Sequence, residues 1–138
     1  MDVTQIPFVK HIGIERKEEC TLKLEPTLII QNHIQTIHAS AQYALAETQS
    51  GLYLQTLFPK YVGQVVPLLR GSTVKYKNPA ISTLTAYASV DDEVKGKFIS
   101  FFERKGRGSI AVHIEVRDEK GTITMIGEFN WFIKRTEK

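Results

Sequence analysis

The segment at residues 35–58, QTIHASAQYALAETQSGLYLQTLF, decides the architecture of this chain. It belongs to a run of 34 residues, between Glu25 and Lys60, in which Glu47 is the only formally charged side chain. Charged residues make up 24% of the whole sequence, so their near absence here indicates a buried segment. A single carboxylate inside such a segment needs either a structural or a chemical reason.

This segment predicts one long helix over about residues 37–58. It is too long for a strand, and it is rich in Ala, Leu, Gln and Glu, which favour helices. Pro59 ends it, because proline cannot continue the hydrogen bonding of a helix. The helix is apolar all round, which predicts a sheet on one side and a second copy of the chain as the simplest cover for the other.

The rest of the chain has mainly strand patterns. A turn or short helix ends at Gly13, and residues 12–24 have the alternation of one strand. After Pro59, alternating residues and glycine or proline breaks predict four or five strands, at about residues 71–80, 82–90, 97–104, 109–117 and 123–133. Short hairpin connections favour antiparallel pairing. We therefore predict an α+β fold of one domain, residues 1–138, in which a curved antiparallel sheet of five to six strands wraps a long central helix.

Composition narrows the class of protein. Cys20 is the only cysteine, which favours a reducing, cytoplasmic setting. No signal peptide or membrane span is expected, and His11, His33 and His113 lack the spacing of a metal site. The net charge of +3 is carried partly by short basic clusters that include Lys75, Lys77, Arg104 and Lys105. Such clusters are compatible with binding of nucleic acid, with binding of a small polyanionic ligand, or with ordinary solvated positions. The lack of interleaved aromatic residues weakens the nucleic-acid interpretation.

Glu47 lies on a definite side of the predicted helix. With 3.6 residues per turn, Ser40, Tyr43, Gly51 and Leu54 share its side, whereas Ala41, Leu45 and Leu52 form the stripe that faces the sheet. A buried, unpaired carboxylate is costly, and its raised pKa suits a general base or nucleophile. The alternative is a carboxylate held by hydrogen bonds across an interface, and periodicity does not decide between the two.

His38 and Ala39 open the helix, where unpaired amides and the positive end of the helix dipole can receive negative charge on an oxygen. His38 is nine residues before Glu47, half a turn out of phase, so the two cannot form a dyad on one straight helix. An ordinary histidine at a helix start is the alternative for His38. Asn32, in the preceding loop, is either a turn residue or a group that orients water or a carbonyl.

These residues together resemble a known family. Residues 32–51, NHIQTIHASAQYALAETQSG, and residues 74–88, VKYKNPAISTLTAYA, are similar to the hotdog-fold thioesterases of the phenylacetate-degradation type, whose signature runs roughly N-H-x-G-T-x-H-A-x-A-x-F-x-L-A-E. The resemblance implies a homodimer, or a dimer of dimers, with acyl-CoA clefts at the subunit interface. It assigns the acid to Glu47, the loop amide group to Asn32, and the oxyanion-holding backbone amide to Ala39 beside His38, with the acid and the helix start supplied by different subunits.

The sequence also departs from that family. Gln35 replaces a glycine, and we expect its side chain to narrow the cleft; HAS at residues 38–40 replaces H-G-G. For the assisting strand hydroxyl, Ser72 and Thr73 are candidates.

We expect hydrolysis of acyl-CoA thioesters, with no cofactor beyond the CoA of the substrate, no metal and no nucleic acid. The acyl group is expected near Tyr43, Ser40 and Leu54, and the CoA phosphates near Lys75, Lys77, Arg104 or Lys105. The alternative is a non-catalytic acyl-CoA-binding or regulatory protein. Hydratase chemistry fits poorly because no H-F-P stretch precedes the acid.

Overall fold

Six strands form one antiparallel sheet around a single long helix in the computed structural model, which describes residues 1–136. The strands are β1 Ile14–Glu18, β2 Thr21–Leu24, β3 Val65–Tyr76, β4 Leu84–Ser89, β5 Arg107–Arg117 and β6 Ile123–Arg135. The helices are α1 Pro7–Ile12, α2 Ala39–Leu57 and α3 Asp92–Lys105. All strand pairs are antiparallel, in the order β1-β2-β4-β5-β6-β3. The predicted α+β architecture, the hotdog fold, is confirmed.

Helix α2 lies against β2, β4, β5 and β6. Its observed bounds agree with the predicted ones to within two residues, and the predicted sheet-facing residues Ala41, Leu45 and Leu52 are buried. Full burial of a leucine side chain contributes about 1.5–3 kcal/mol, so this stripe fixes the helix on the sheet. The opposite side is not sealed, since Ser40 is exposed and Glu47 is half-buried.

The sheet supplies the other half of the core. Strand β5 alternates as predicted, with Ile110, Val112, Ile114 and Val116 buried and their neighbours turned outward. The predicted glycine break between the strands at 109–117 and 123–133 is a tight turn, in which the Asp118 carboxylate accepts the amides of Lys120 and Thr122 at 2.9 Å each. Strand β3 pairs only with β6 and therefore forms one edge of the sheet.

Two predicted elements were wrong. Residues 97–104 were predicted to be a strand, but they belong to α3, whose Phe98 and Phe102 are buried against Phe58 at the end of α2. Residues 12–24 were predicted to be one strand, but Ile12 ends α1 and the remainder is a hairpin of β1 and β2. The helix stop at Gly13 is confirmed by its φ of 91°.

Gln49 ties this hairpin to α2. Its Oε1 accepts the amide of Leu22 at 2.8 Å, and its Nε2 donates to the carbonyl of Cys20 at 2.9 Å. Both polar atoms of a side chain that is only 2% exposed are therefore paired, as buried carboxamides require. The position of α2 along the sheet is fixed by this contact as well as by apolar packing.

Candidate functional site

Glu47 lies in the middle of α2, on the side that is not covered by the sheet. It is half-buried, and within residues 1–136 its carboxylate forms neither a hydrogen bond nor an ion pair. Burial therefore raises the pKa of Glu47 above its ordinary value, with no compensating positive charge,. A half-buried carboxylate with a raised pKa and no partner is a candidate for a functional residue.

The side chains one turn away on either side of Glu47 are fixed to the sheet. The hydroxyl of Tyr43 shares a 2.8 Å hydrogen bond with that of Ser72 on β3. The ring of Tyr43 packs edge-on against that of Phe129, with 5.3 Å between the ring centroids. The hydroxyl of Ser50 accepts the Nε1–H of Trp131 at 2.8 Å. Glu47 therefore faces the region beside β3 and β6, at the free edge of the sheet. Of the two strand hydroxyls considered from the sequence, Ser72 is the one bonded to this helix.

The start of α2 is held by two side-chain hydrogen bonds. His38 is the residue before the helix, and its Nδ1 accepts the amide of Ser40 at 2.9 Å. This hydrogen bond requires an unprotonated Nδ1, so His38 acts here as the helix cap. The amide of Ala39 is the first of the helix and has no acceptor within it. The carbonyl of Ala39 accepts the hydroxyl of Tyr76 at 3.2 Å.

Tyr76 also belongs to this region, although it was not among the residues predicted from the sequence. Burial raises the pKa of its phenol, and the neighbouring Tyr43 raises it further. The Tyr76 hydroxyl thus connects the end of β3 to the helix start. The alternation of β3 was a usable signal, since Tyr76 shares the parity of Val74 and therefore faces the helix.

Asn32 organises the loop that leads into α2. Its Oδ1 accepts the amides of Ile34 and Thr36, both at 3.0 Å, and its Nδ2 donates to the hydroxyl of Thr36 at 2.7 Å. Gln35 sits in the same turn with a φ of 61°, a left-handed conformation that glycine adopts without strain. The Gln35 side chain is exposed and is not part of the cleft wall described next.

Asn32 and Ala39 line one cleft of about 310 Å³ at the helix start. We call it the helix-start cleft. Lys77 also lines it, as do Tyr76 and the buried Gln42; the remaining walls are Ile34, Thr36, Ile37, Asn78, Pro79 and Ala80. The cleft therefore combines an amide at the positive end of a helix, a cation and several neutral polar groups. Glu47 does not line it, because eight residues of helix separate Glu47 from Ala39 by about 12 Å.

A second, apolar pocket of about 150 Å³ lies at the other end of α2. It begins at Gly51, one turn after Glu47, and includes the predicted acyl-contacting residue Leu54; its other walls are Met1, Gln55, Phe58, Val62, Gly63, Val65, Pro67 and Ile133. The apolar lining suits a hydrocarbon group. The region around Glu47 thus continues into an apolar pocket along the same helix.

The four basic residues considered for CoA phosphates lie in different places. Lys77 lines the helix-start cleft. Lys75 points to the opposite face of the sheet from Tyr76, because successive strand residues alternate. Arg104 and Lys105 end α3, which packs on Phe58 at the far end of α2. Within one chain, the structure brings only Lys77 of the four to Ala39 and Asn32.

The fold places this protein among the hotdog proteins. A family model also matches nearly all of its sequence. The chain matches, over residues 3–133, the model of the family described as domain of unknown function DUF4442. The chain therefore belongs to the DUF4442 family. No curated protein matches its sequence. Within residues 1–136, no helix has the length and apolar character needed to cross a membrane.

Solved structures share the fold at low sequence identity. A Pseudomonas aeruginosa protein described as a probable thioesterase superposes with a TM-score of 0.83 at 19% identity, covering 97% of this chain and 91% of its own. A Bacillus halodurans protein crystallised with CoA superposes with a TM-score of 0.68 at 18% sequence identity, covering 87% of this chain and 70% of its own. Escherichia coli PaaI, from the phenylacetic acid degradation operon, superposes with a TM-score of 0.66 at 16% sequence identity, covering 96% of this chain and 86% of its own. At these identities the likeness establishes the hotdog fold.

Proposed function

We propose that this protein hydrolyses acyl-CoA thioesters, with Glu47 as the base. The observation that carries the proposal is the carboxylate of Glu47, which is half-buried, has a raised pKa and lacks a cation or hydrogen-bond donor within the described residues. A structural carboxylate would be expected to have such a partner. One without a partner is suited to take a proton from water.

The proposed reaction uses groups on both sides of the thioester carbonyl. Glu47 accepts a proton from water as the water oxygen attacks the carbonyl carbon. The oxygen that becomes negative is stabilised by the amide of Ala39, at the positive end of α2. When the intermediate collapses, the carbon–sulfur bond breaks, the thiolate of CoA takes the proton from Glu47, and the products are a carboxylic acid and CoA. His38 supports this arrangement by capping the helix that presents Ala39.

The proposal requires two copies of the chain. Glu47 and Ala39 of one chain are about 12 Å apart along the helix, which is too far for both to contact one carbonyl. Strand β3 supports pairing of copies, because it is a 12-residue edge strand with exposed apolar side chains, Val66 at 44%, Leu68 at 50% and Tyr76 at 45%,. Pro67 and the bulge at Arg70 interrupt its first half, so residues 71–76 are the natural pairing stretch. We propose a homodimer, or a dimer of dimers, with shared sites.

CoA is proposed as the carrier because the helix-start cleft carries Lys77, and because one relative of the same fold was crystallised with CoA. The acyl group is proposed to lie along the Glu47 side of α2, past Tyr43, toward the apolar pocket at Leu54. The apolar lining of that pocket favours aliphatic or aromatic acyl groups over charged ones.

Replacement of Glu47 tests the proposal. Glu47→Gln keeps the shape of the side chain but cannot accept a proton, so we expect kcat to fall by about 10²–10⁴-fold. The assay is thiol release from a panel of acyl-CoA thioesters, with Glu93→Gln, an exposed carboxylate on α3, as the matched control. Full activity of purified Glu47→Gln would contradict the assignment of the base.

A second candidate function is a non-catalytic acyl-CoA-binding protein. It is favoured by Asn32, whose Oδ1 and Nδ2 are both bonded within its own turn and which therefore has reduced capacity to orient a water molecule. Native mass spectrometry combined with the thiol-release assay separates the two. A binding protein retains acyl-CoA and releases no thiol, whereas a hydrolase releases CoA and the acid.

A further inference from the structure

Helix α2 carries two buried glutamines that differ in one respect. Gln49 is 2% exposed and Gln42 is 4% exposed. Both polar atoms of the Gln49 side chain are bonded, to Leu22 and Cys20. The Oε1 of Gln42 has no hydrogen-bond partner, and it is the one buried side-chain polar atom in that condition among the described residues. The same residue type, on the same helix, is therefore satisfied in one place and unsatisfied in the other.

An unsatisfied buried carboxamide is unfavourable, and an apolar side chain of similar shape would avoid the penalty. Gln42 is one turn after Ala39 and lines the helix-start cleft together with Asn32, Tyr76 and Lys77. The missing partner is therefore best sought in a molecule that occupies this cleft. A carboxamide offers a donor and an acceptor side by side, and the broad terminal torsion of glutamine lets it present either atom.

We infer that Gln42 is a ligand-binding residue that recognises an amide group in the helix-start cleft. A secondary amide matches a carboxamide because it, too, carries a donor and an acceptor. The neutral polar walls and Lys77 suit a polar arm that ends in phosphates, whereas the apolar pocket at Leu54 suits a hydrocarbon. Identification of this arm as the amide-bearing arm of a CoA thioester rests on the proposed function. Gln42 thus selects the thiol carrier rather than the acyl group.

The test compares Gln42→Met with Gln49→Met as the matched control. The substrates are thioesters of one acyl group with CoA, with N-acetylcysteamine, which keeps one amide, and with ethanethiol, which has none. We expect Gln42→Met to lower the ratio of kcat/KM for the amide-bearing thioesters to that for the ethyl thioester by about tenfold. Gln49→Met should leave that ratio unchanged.

Thermal unfolding of the ligand-free variants provides an independent readout. Gln42→Met removes an unsatisfied polar group, so its Tm should be at least as high as that of the wild type, whereas Gln49→Met should lower Tm because it leaves the Leu22 amide and the Cys20 carbonyl unpaired. A lower Tm for Gln42→Met would mean that a donor in the protein, such as one from a second copy, already pairs with Gln42. That result, or an unchanged ratio of rates, would overturn the inference.

Calorimetric titration with free CoA separates this inference from the proposed hydrolysis. If the wild type binds CoA, Gln42→Met binds it about tenfold more weakly, and neither releases thiol, the role of Gln42 stands and the proposed hydrolysis fails. If thioesters are hydrolysed but Gln42→Met retains the wild-type affinity and ratio, the role of Gln42 fails and hydrolysis stands. If the wild type neither binds CoA nor hydrolyses its thioesters, both fail.

Discussion

Glu47 shows how one residue can be both a cost to folding and a source of reactivity. The helix on which it lies provides no hydrogen bond to its carboxylate, and the sheet edge beside it provides no cation in the described chain. Desolvation alone therefore raises its pKa. The same effect makes the ionised carboxylate a better base and makes it less favourable in the folded protein.

The pH dependence of both properties follows from this shift. A base must be ionised, so we expect kcat/KM to fall about tenfold per pH unit below the raised pKa of Glu47. For stability the sign is opposite: the protonated form is favourable below the unfolded value near 4.5, and that contribution is lost as the pH rises through the folded pKa,.

Thermal unfolding between pH 4 and pH 8 measures the stability effect. The side chain at position 47 of the Glu47→Gln variant cannot ionise. The difference in Tm between this variant and the wild type should therefore be near zero at pH 4 and should grow in favour of the variant as the pH rises to 8. A constant difference in Tm over the whole range would show that Glu47 has an ordinary pKa.

Gln35 provides a prediction about backbone strain. Its φ of 61° costs an L-residue about 1–2 kcal/mol,, and glycine avoids that cost but loses more chain entropy on folding. We expect Gln35→Gly to stabilise the protein by about 0.5–1 kcal/mol, measured by urea denaturation. Gln35→Ala should show no gain, because alanine has the same restriction as glutamine.

The sequence indicates candidate residues more readily than the contacts between them. Glu47 was singled out as the lone charge of an apolar helix, and Asn32 and Ala39 through the family resemblance; their roles stay predictions. The bonds from Tyr43 to Ser72 and from Tyr76 to Ala39 join residues about thirty or more positions apart, and local patterns carry no information about such pairs. The unsatisfied state of Gln42 likewise depends on what the fold brings near it.

At the scale of elements, α3 was the main error, and its cause is physical. The stretch KFISFFER is rich in aromatic and β-branched residues, which favour strands, and Gly106 was interpreted as a hairpin turn. Asp91 before the helix, the acidic residues Asp92 and Glu93 in its first turn, and Gly106 in the left-handed conformation are the signals of a helix that were outweighed,. Tertiary packing of Phe98 and Phe102 on Phe58 decides the outcome.

The contact between β3 and β6 gives a prediction at the same scale. A Cβ on Gly127 would lie 2.9 Å from Cε1 of Phe129 and 3.0 Å from Cγ1 of Val74. Phe129 is fully buried and supports Tyr43, so it has little room to move. We expect Gly127→Ala to destabilise the protein by about 1–3 kcal/mol, measured by urea denaturation, and to lower activity by displacing Tyr43.

Gly71 offers the matched control on the neighbouring strand. A Cβ there would meet only Nδ2 of Asn130, at an ordinary 3.8 Å. Gly71→Ala should therefore shift the unfolding free energy by less than about 0.5 kcal/mol. Equal effects of the two substitutions would contradict the role assigned to the Phe129 contact.

At the scale of the whole molecule, the length of α2 decides how a site can be assembled. The 19-residue helix is about 28 Å long,, and it separates the helix-start cleft from the apolar pocket. One chain therefore cannot bring Glu47 to Ala39, while a two-fold pair of chains can exchange these groups. A second copy, as the simplest cover for the apolar helix, stays a prediction from the sequence, whereas the position of the free edge at β3 came from the structure.

Complementation tests the exchange between chains. Ala39→Pro removes the proposed amide donor but keeps the helix, because proline is favoured at the first helical position and His38 is already extended at ψ 139°,. Each of Ala39→Pro and Glu47→Ala should be inactive alone. Random mixing of the two by co-expression should restore roughly a quarter of the wild-type activity, since half the dimers then hold one intact site of two.

No recovery on mixing, with heterodimers demonstrated by native mass spectrometry, would mean that each site is built within one chain. An active wild-type protein that is monomeric at the assay concentration would likewise show that the site is built within one chain.

Trp131 is the only tryptophan in the chain, and its indole packs within 3.6 Å of the position of a Cβ on Gly51 while donating to Ser50. It therefore lies one turn from Glu47, against a glycine that lines the apolar pocket. The protein carries a built-in fluorophore beside its candidate site. We expect indole emission to change when a ligand fills that pocket, since the indole lies behind one of its walls, and this change can be followed without a label and without turnover.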